Sequence, residues 1–273
     1  LALGMAPEPC MRQVQLLLLR FGIISRLRRT DTVRHGTPTR WWTVTIRGTE
    51  PIQRFAESIG PPTGKEAEFS AILAGLASAN TNVDVVPVTW GVAHDFLRQA
   101  GVRNLGHTPW RTLCTGRTKR LSRRRAEQLR RDYPITESLV GPFLGELRFI
   151  PVRTVTPEVL AIPVGDIGVP GAQSFYANGI LVHNSVGWGK AQPLDCRVLT
   201  PSGWRQLGDL VVGDRVIGRD GQPTRVQAIH PQGMRPCWRV RFTDGAETRC
   251  APDHLWTVRS PGAGYRTMPV SEL

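Results

Sequence analysis

The chain has 273 residues, 40% of them hydrophobic and 21% charged, a composition that folds and excludes disorder throughout. Its longest apolar run, Leu16 to Leu19, resumes only from Phe21 to Ile24 and falls far short of the roughly 20 residues of a membrane span. Lys and Arg number 35 against 22 acidic residues, so the net charge is +13, and nucleic acid is the usual partner of such a balance.

The first residue is Leu1, no signal peptide follows and no terminal motif closes the chain at Leu273, so a cytoplasmic piece of a longer reading frame is expected. Five cysteines, Cys10, Cys114, Cys196, Cys237 and Cys250, form no C-x-x-C pair and have no His at finger spacing. They read as reduced thiols, and no metal site is expected among them.

Apolar residues at Val14, Leu17, Leu18 and Phe21 have helical spacing that stops at Gly22, and a basic strand with Arg26, Arg28 and Arg29 follows. From Arg40 to Arg47 the chain alternates β-branched and aromatic residues, which predicts a strand, then a helix from about Pro51 to Ser58. Arg26, Arg28, Arg40 and Arg47 could lie along a phosphate backbone; a solvated sheet face is the alternative. Between Arg117 and Arg131 only Glu127 opposes eight basic residues, among them Arg123, Arg124 and Arg125, which predicts an exposed basic helix suited to DNA or simply to water. From Arg153 onwards short β-type runs alternate with Pro and Gly, and hairpin turns are legible at Pro201-Ser202-Gly203, Arg219-Asp220-Gly221 and Thr243-Asp244-Gly245. The class expected is α+β, a basic α/β portion preceding all-β segments.

The most specific signal is Phe175-Tyr176-Ala177-Asn178-Gly179-Ile180-Leu181-Val182-His183-Asn184-Ser185. It resembles the C-terminal splice junction of an intein, whose pattern is a hydrophobic strand ending in His-Asn before a Ser, Thr or Cys. An Asn side-chain amide can attack its own main-chain carbonyl, form a succinimide and release the chain beyond it, while a neighbouring His assists proton transfer. The resemblance makes Asn184 the cyclising residue, His183 its assistant and Ser185 the downstream nucleophile. It also makes Asp166, on the strand Val164 to Pro170, a helper in proton transfer.

From Ala191 the sequence resembles an intein N-terminus, with Val198-Leu199-Thr200, Gly203-Trp204 and Leu210 to Val216 in the family's order. Counting back places the first residue on Ala191, with Cys196 as the alternative start. Thr248 to Trp256 resembles the family's internal His motif, so His254 would destabilise the scissile amide. Trp256 with Ala191 resembles the inteins that bypass the first nucleophile and use an internal Cys, which would lie beyond Leu273. The six residues between the junctions, Ser185-Val186-Gly187-Trp188-Gly189-Lys190, would complete a phosphate-binding loop G-x-x-x-x-G-K if host Gly and Thr or Ser flanked them. Gly187, Gly189 and Lys190 would then cradle the phosphates of ATP in the spliced host, a P-loop ATPase such as a helicase or, favoured by Gly-Ser-Val-Gly, a viral terminase.

Residues 1–80 resemble the late part of a LAGLIDADG homing endonuclease, through Val14 to Ile23, the strand Trp42 to Ile46, and Arg54 to Gly60. A complete enzyme of that family would cut double-stranded DNA with Mg. Leu73-Ala74-Gly75-Leu76 spells the start of the family's motif, but its acid position falls on Asn80, and an ordinary helix is the better reading.

The organisation expected is a partial endonuclease domain (1–85), a basic helical linker with DNA contacts (86–150), the C-terminal splicing segment of one intein (151–184), a host segment (185–190) and the N-terminal segment of a second intein (191–273). The missing intein halves would lie upstream and downstream. An arrangement in which the two segments join each other and cyclise Ser185 to Lys190 is disfavoured because Ala191 offers no nucleophile. The competing class is a basic DNA-binding remnant of a packaging or replication protein with inactive splicing motifs.

Overall fold

The computed structural model describes residues 1–5, 7–76, 83–103, 119–145, 147–171, 173–183, 190–260 and 264–273. The chain divides into two compact units, Leu1–Ile150 and Pro151–Leu273. Among the described residues no helix is long and apolar enough to cross a membrane.

In the first unit β1 (Ala2–Met5), α1 (Glu8–Arg20), β2 (Ser25–Arg34), β3 (Thr37–Ile46), α2 (Thr49–Ser58) and α3 (Glu66–Ala74) share one core. The strands form an antiparallel sheet in the order β1-β3-β2. Its inner face carries Leu27, Val44 and Ile46, onto which α1 sets Met11 and Leu18, while Arg26 and Arg28 face outward in the alternation a half-buried strand requires. The helix begins at Glu8, earlier than its apolar spacing suggests, because Pro9 suits the first turn, and it stops before Gly22, whose φ of 67° an L side chain rarely adopts. Leu73 and Leu76 pack against this core, so the decoy motif is the end of an ordinary helix; Asn80 lies outside the described residues.

The rest of the unit holds β4 (Val85–Thr89), α4 (Trp90–Gln99), β5 (Arg120–Ser122), α5 (Arg123–Asp132) and α6 (Glu137–Val140). This stretch is not a linker. It has its own core of Val86, Val88, Trp90, Ala93, Leu97, Leu121, Ala126, Leu129 and Val140. The strands β4 and β5 pair antiparallel, and each runs straight into a helix whose first turn is capped by the hydroxyl of Thr89 or Ser122. The predicted basic helix is present, but its Ala126 and Leu129 are buried.

The second unit is all β apart from single turns, among its described residues. Before residue 184 come β6 (Val152–Pro157), β7 (Ile162–Gly168), β8 (Ser174–Ala177) and β9 (Ile180–His183). After it come β10 (Gln192–Pro193), β11 (Arg197–Thr200), β12 (Gly203–Gln206), β13 (Arg215–Ile217), β14 (Pro223–Arg225), β15 (Ala228–Arg235), β16 (Trp238–Phe242), β17 (Glu247–Cys250), β18 (Leu255–Ser260) and β19 (Gly264–Pro269). All the pairings are antiparallel, none closes a barrel, and the three turns read from the sequence join β11 to β12, β13 to β14 and β16 to β17. The two segments flanking residues 184–189 are interleaved. Three sheets, β10-β7-β15, β12-β11-β8-β9 and β17-β16-β6, each mix strands from both sides, while β13-β14 and β18-β19 pair within the later segment. One core joins Ile167, Phe175, Ala177 and Val182 to Cys196, Val198, Leu210, Val216 and Val226. Asn178 fastens the seam: with Gly179 it makes the tight β8-β9 turn at positive φ, its Oδ1 accepts from the Arg197 N–H at 3.0 Å, and its Nδ2 donates to Thr248 Oγ1 at 3.3 Å.

Candidate functional site: a shared β junction

Strand β7 lies between β10 and β15, and in its middle stands Asp166, 1% exposed. Its Oδ1 accepts from the Ile167 N–H at 2.8 Å. Gln192 pairs with Gly165 and Pro193 with Val164, so continuing the register by one residue sets Ala191 across from Asp166. Ala191 is fully buried, packs with Val164, Cys237 and Ala251, and its carbonyl accepts from the Ala251 N–H at 3.0 Å. Burying this residue suits Ala: a polar side chain here would need its own hydrogen-bond partners.

That same turn brings in His254, whose N–H donates to the Ala251 carbonyl at 3.0 Å. The ring is 2% exposed, its centroid is 6.0 Å from that of Trp256, and neither ring nitrogen has a hydrogen-bond partner among the described residues. Burial, and then the charge of Lys190, pull its pKa down to about 4, so it is a neutral imidazole at pH 7. His183, at the end of β9, is also held below the ordinary imidazole value, first by burial of part of its ring and then by Lys190 and Arg219. One ammonium acting on both rings brings His183, Lys190 and His254 into a single neighbourhood. Two neutral imidazoles there can accept a proton or hand one on.

The depressed His254 value fixes a pH effect. The unfolded imidazole titrates near its ordinary value, so the folded state loses stability as pH falls from about 6.5 to about 4, by up to about 3 kcal/mol. A denaturant midpoint that falls across this window in the parent chain, and falls less in His254→Gln, is the expected result; identical pH profiles would contradict it.

The buried thiols are poor nucleophiles. Cys196 sits in the main core and burial raises its thiol far, which argues against it as a first residue. Burial likewise pushes Cys250 up to about 12 and Cys237 up to about 11.

Of the residues expected at the junctions, Asp166, His183, Lys190, Ala191, His254 and Trp256 are brought to this part of the second unit. Asn184, Ser185, Gly187 and Gly189 lie outside the described residues. Gln192, which the sequence reading passed over, is 1% exposed, and both its amide atoms lack a partner among the described residues. Its only signal was a Gln between apolar residues at the start of a segment.

In the first unit Arg26, Arg28 and Arg47 are exposed, and Arg40 is paired with Asp31 at 3.2 Å. Arg124 is exposed, and Arg125 donates to Gln128 Oε1 at 2.7 Å. Arg123 is bonded within its own unit. Its Nε binds Asp84 at 2.7 Å, Nη1 donates to the Phe143 and Gly145 carbonyls, and Nη2 donates to the Leu147 carbonyl. A guanidinium committed to four partners inside its own unit serves the fold. No group of three His, Cys, Asp or Glu able to hold a metal occurs among the described residues, so no carboxylate set for Mg is present there.

Residues 1–60 match the family model of a LAGLIDADG-like domain. The chain is also 44% identical over 82 residues to the replicative DNA helicase DnaB of Mycobacterium intracellulare, which is 30% of this chain and 14% of that protein. It is 40% identical over 78 residues to the Mycobacterium leprae DnaB, 28% of this chain and 13% of the relative. Against the Rhodothermus marinus DnaB it is 32% identical over 191 residues, 64% of this chain and 19% of the relative. The chain therefore spans less than about a fifth of the length of these relatives.

Proposed function

We propose that Pro151–Leu273 is a Hint-type protein-splicing unit that cuts the chain after Asn184, carried with a LAGLIDADG-like remnant in a helicase of the DnaB kind. The observation that carries the reading is the interleaving of the two segments: strands from before His183 and after Lys190 share three sheets, and both imidazoles feel the same ammonium. Each segment supplies the strands that a missing half would otherwise bring. Ala191 supplies no nucleophile at the second junction, so cleavage after Asn184 is the one step proposed.

In the proposed step the Asn184 side-chain nitrogen attacks the Asn184 main-chain carbonyl carbon, and the bond to the Ser185 nitrogen breaks. The proton lost by the attacking amide passes through neutral His183 to the departing Ser185 nitrogen, which leaves as an α-amine. A C-terminal succinimide remains. Asp166 assists from the buried strand, and His254 with Trp256 sits against the Ala191 side. The relatives are replicative helicases, which favours a helicase over a terminase as host, with Gly187, Gly189 and Lys190 contributing to its ATP loop after splicing. Incubating the purified chain and weighing its products tests the reading. The expected products are residues 1–184, lighter by one water than a hydrolytic fragment, and residues 185–273; an intact chain after prolonged incubation would refute it.

The outward face of β2 and β3 is the proposed DNA surface, with Arg26 and Arg28 beside Thr43 and Thr45. Arg26→Ala with Arg28→Ala should weaken duplex binding and shallow its salt dependence by about two phosphate contacts. An unchanged slope would leave this face simply solvated. Cleavage of DNA by a complete endonuclease would need Mg and a set of carboxylates to hold it.

A further inference from the structure

Among the described residues three that are not glycine have a positive φ: His35, Gln173 and Asn178. His35 and Asn178 each precede a glycine in a hairpin turn, β2 to β3 and β8 to β9, where such a backbone is required. Gln173 closes no hairpin. It stands just before β8, whose sheet neighbours are β9 and β11, and its φ of 47° is one that a residue other than glycine adopts at a cost. Ser174 pairs with His183, so Gln173 lies beside the last residue of β9, and the His183 ring hydrogen-bonds to the Gln173 main chain. In this bond the imidazole N–H donates and the carbonyl accepts. Burial, Lys190 and Arg219 all favour the neutral ring, and the bond to Gln173 opposes them by favouring the charged one. A ring bonded to a carbonyl through one nitrogen carries its hydrogen there, which leaves the other nitrogen with a bare lone pair.

On the splicing reading, we propose that Gln173 is a positioning residue whose carbonyl, held in place by the left-handed backbone, orients the His183 ring and sets its tautomer. The second ring nitrogen then takes the proton lost by the Asn184 side-chain amide. The imidazolium so formed keeps its first hydrogen on the Gln173 carbonyl, and the second nitrogen gives the proton up to the departing Ser185 nitrogen. The ring is neutral before and after, and the carbonyl steadies the charge between. Because the main chain acts, position 173 needs a residue that accepts positive φ and no particular side chain.

Two substitutions in the full chain separate the main chain from the side chain. Gln173→Gly accepts positive φ and keeps the carbonyl, so cleavage after Asn184 should stay within about 2-fold of the parent. Gln173→Val, whose branched side chain resists positive φ, should turn the carbonyl away and slow cleavage at least about 10-fold. A Gly variant as slow as the Val variant overturns the proposal, because the Gln side chain would then hold the role. So does a Val variant as fast as the parent. The second readout is nitrogen NMR of the His183 ring in the full-length Asn184→Ala chain. A single tautomer is expected there and after adding Gln173→Gly, and the mixed tautomers of a free imidazole after adding Gln173→Val. Mixed tautomers before residue 173 is changed overturn the proposal, even where Val unfolds the unit. If the parent chain does not cleave at all, the splicing reading fails on its own, and the ring spectra still decide this one.

Discussion

Replacing Asn184 with Ala should abolish release of residues 185–273, a loss of at least about 100-fold in rate, or more than about 2.7 kcal/mol of barrier. The side-chain amide is the attacking group in the proposed step, and a methyl group offers no electron pair, so no slower version of the same reaction survives. His183→Ala should instead leave slow cleavage, reduced by roughly 10²-fold, because proton transfer is assisted by His183 and not supplied by it alone. The contrast between the two variants is the diagnostic, read by intact mass over time. Equal release from the parent chain and Asn184→Ala would mean that a contaminating protease cuts the bond.

Arg123→Ala should lower the stability of the first unit by about 2–4 kcal/mol, as expected when one partner of a mostly buried ion pair is removed. The side chain is 18% exposed and that of Asp84 26%, so the pair is screened less than a surface bridge. Its removal strands Asp84 and the carbonyls of Phe143, Gly145 and Leu147, which Arg123 ties to the start of α5. For a unit of this size the melting midpoint should fall by roughly 5–15 °C, whereas Arg131→Ala, on the exposed side of the same helix, should hold within about 1 °C. A DNA affinity that falls in Arg123→Ala with no change in melting would restore its reading as a phosphate contact.

These two residues mark where the sequence was legible. The turns at Ser202-Gly203, Asp220-Gly221 and Asp244-Gly245 are local events, decided by a few residues whose backbone preferences can be read in isolation. The stop of α1 at Gly22 and the strand through Trp42 to Ile46 were legible for the same reason. The job of Arg123 was not, because it depends on Asp84, 39 residues earlier, and on carbonyls 20 to 24 residues later. A run of basic residues looks alike whether its members face water or their own backbone. The core of Val86 to Val140 was missed because its strands are only five and three residues long and the apolar positions are diluted by arginine. Gln192 was missed because an unpaired amide is a property of its surroundings, which a single letter does not carry.

The interleaving of the second unit has a consequence in time. Strand β7 has only β10 beside it until β15 is complete at residue 235, and β6 has no sheet neighbour until β16 is made, at about residue 242. At roughly 5–20 residues per second, several seconds separate the synthesis of Asn184 from completion of the surroundings proposed to activate it. On the splicing reading, a nascent chain would carry Asn184 past the ribosome before its surroundings are complete, and the downstream segment would act as a safety catch on the upstream junction.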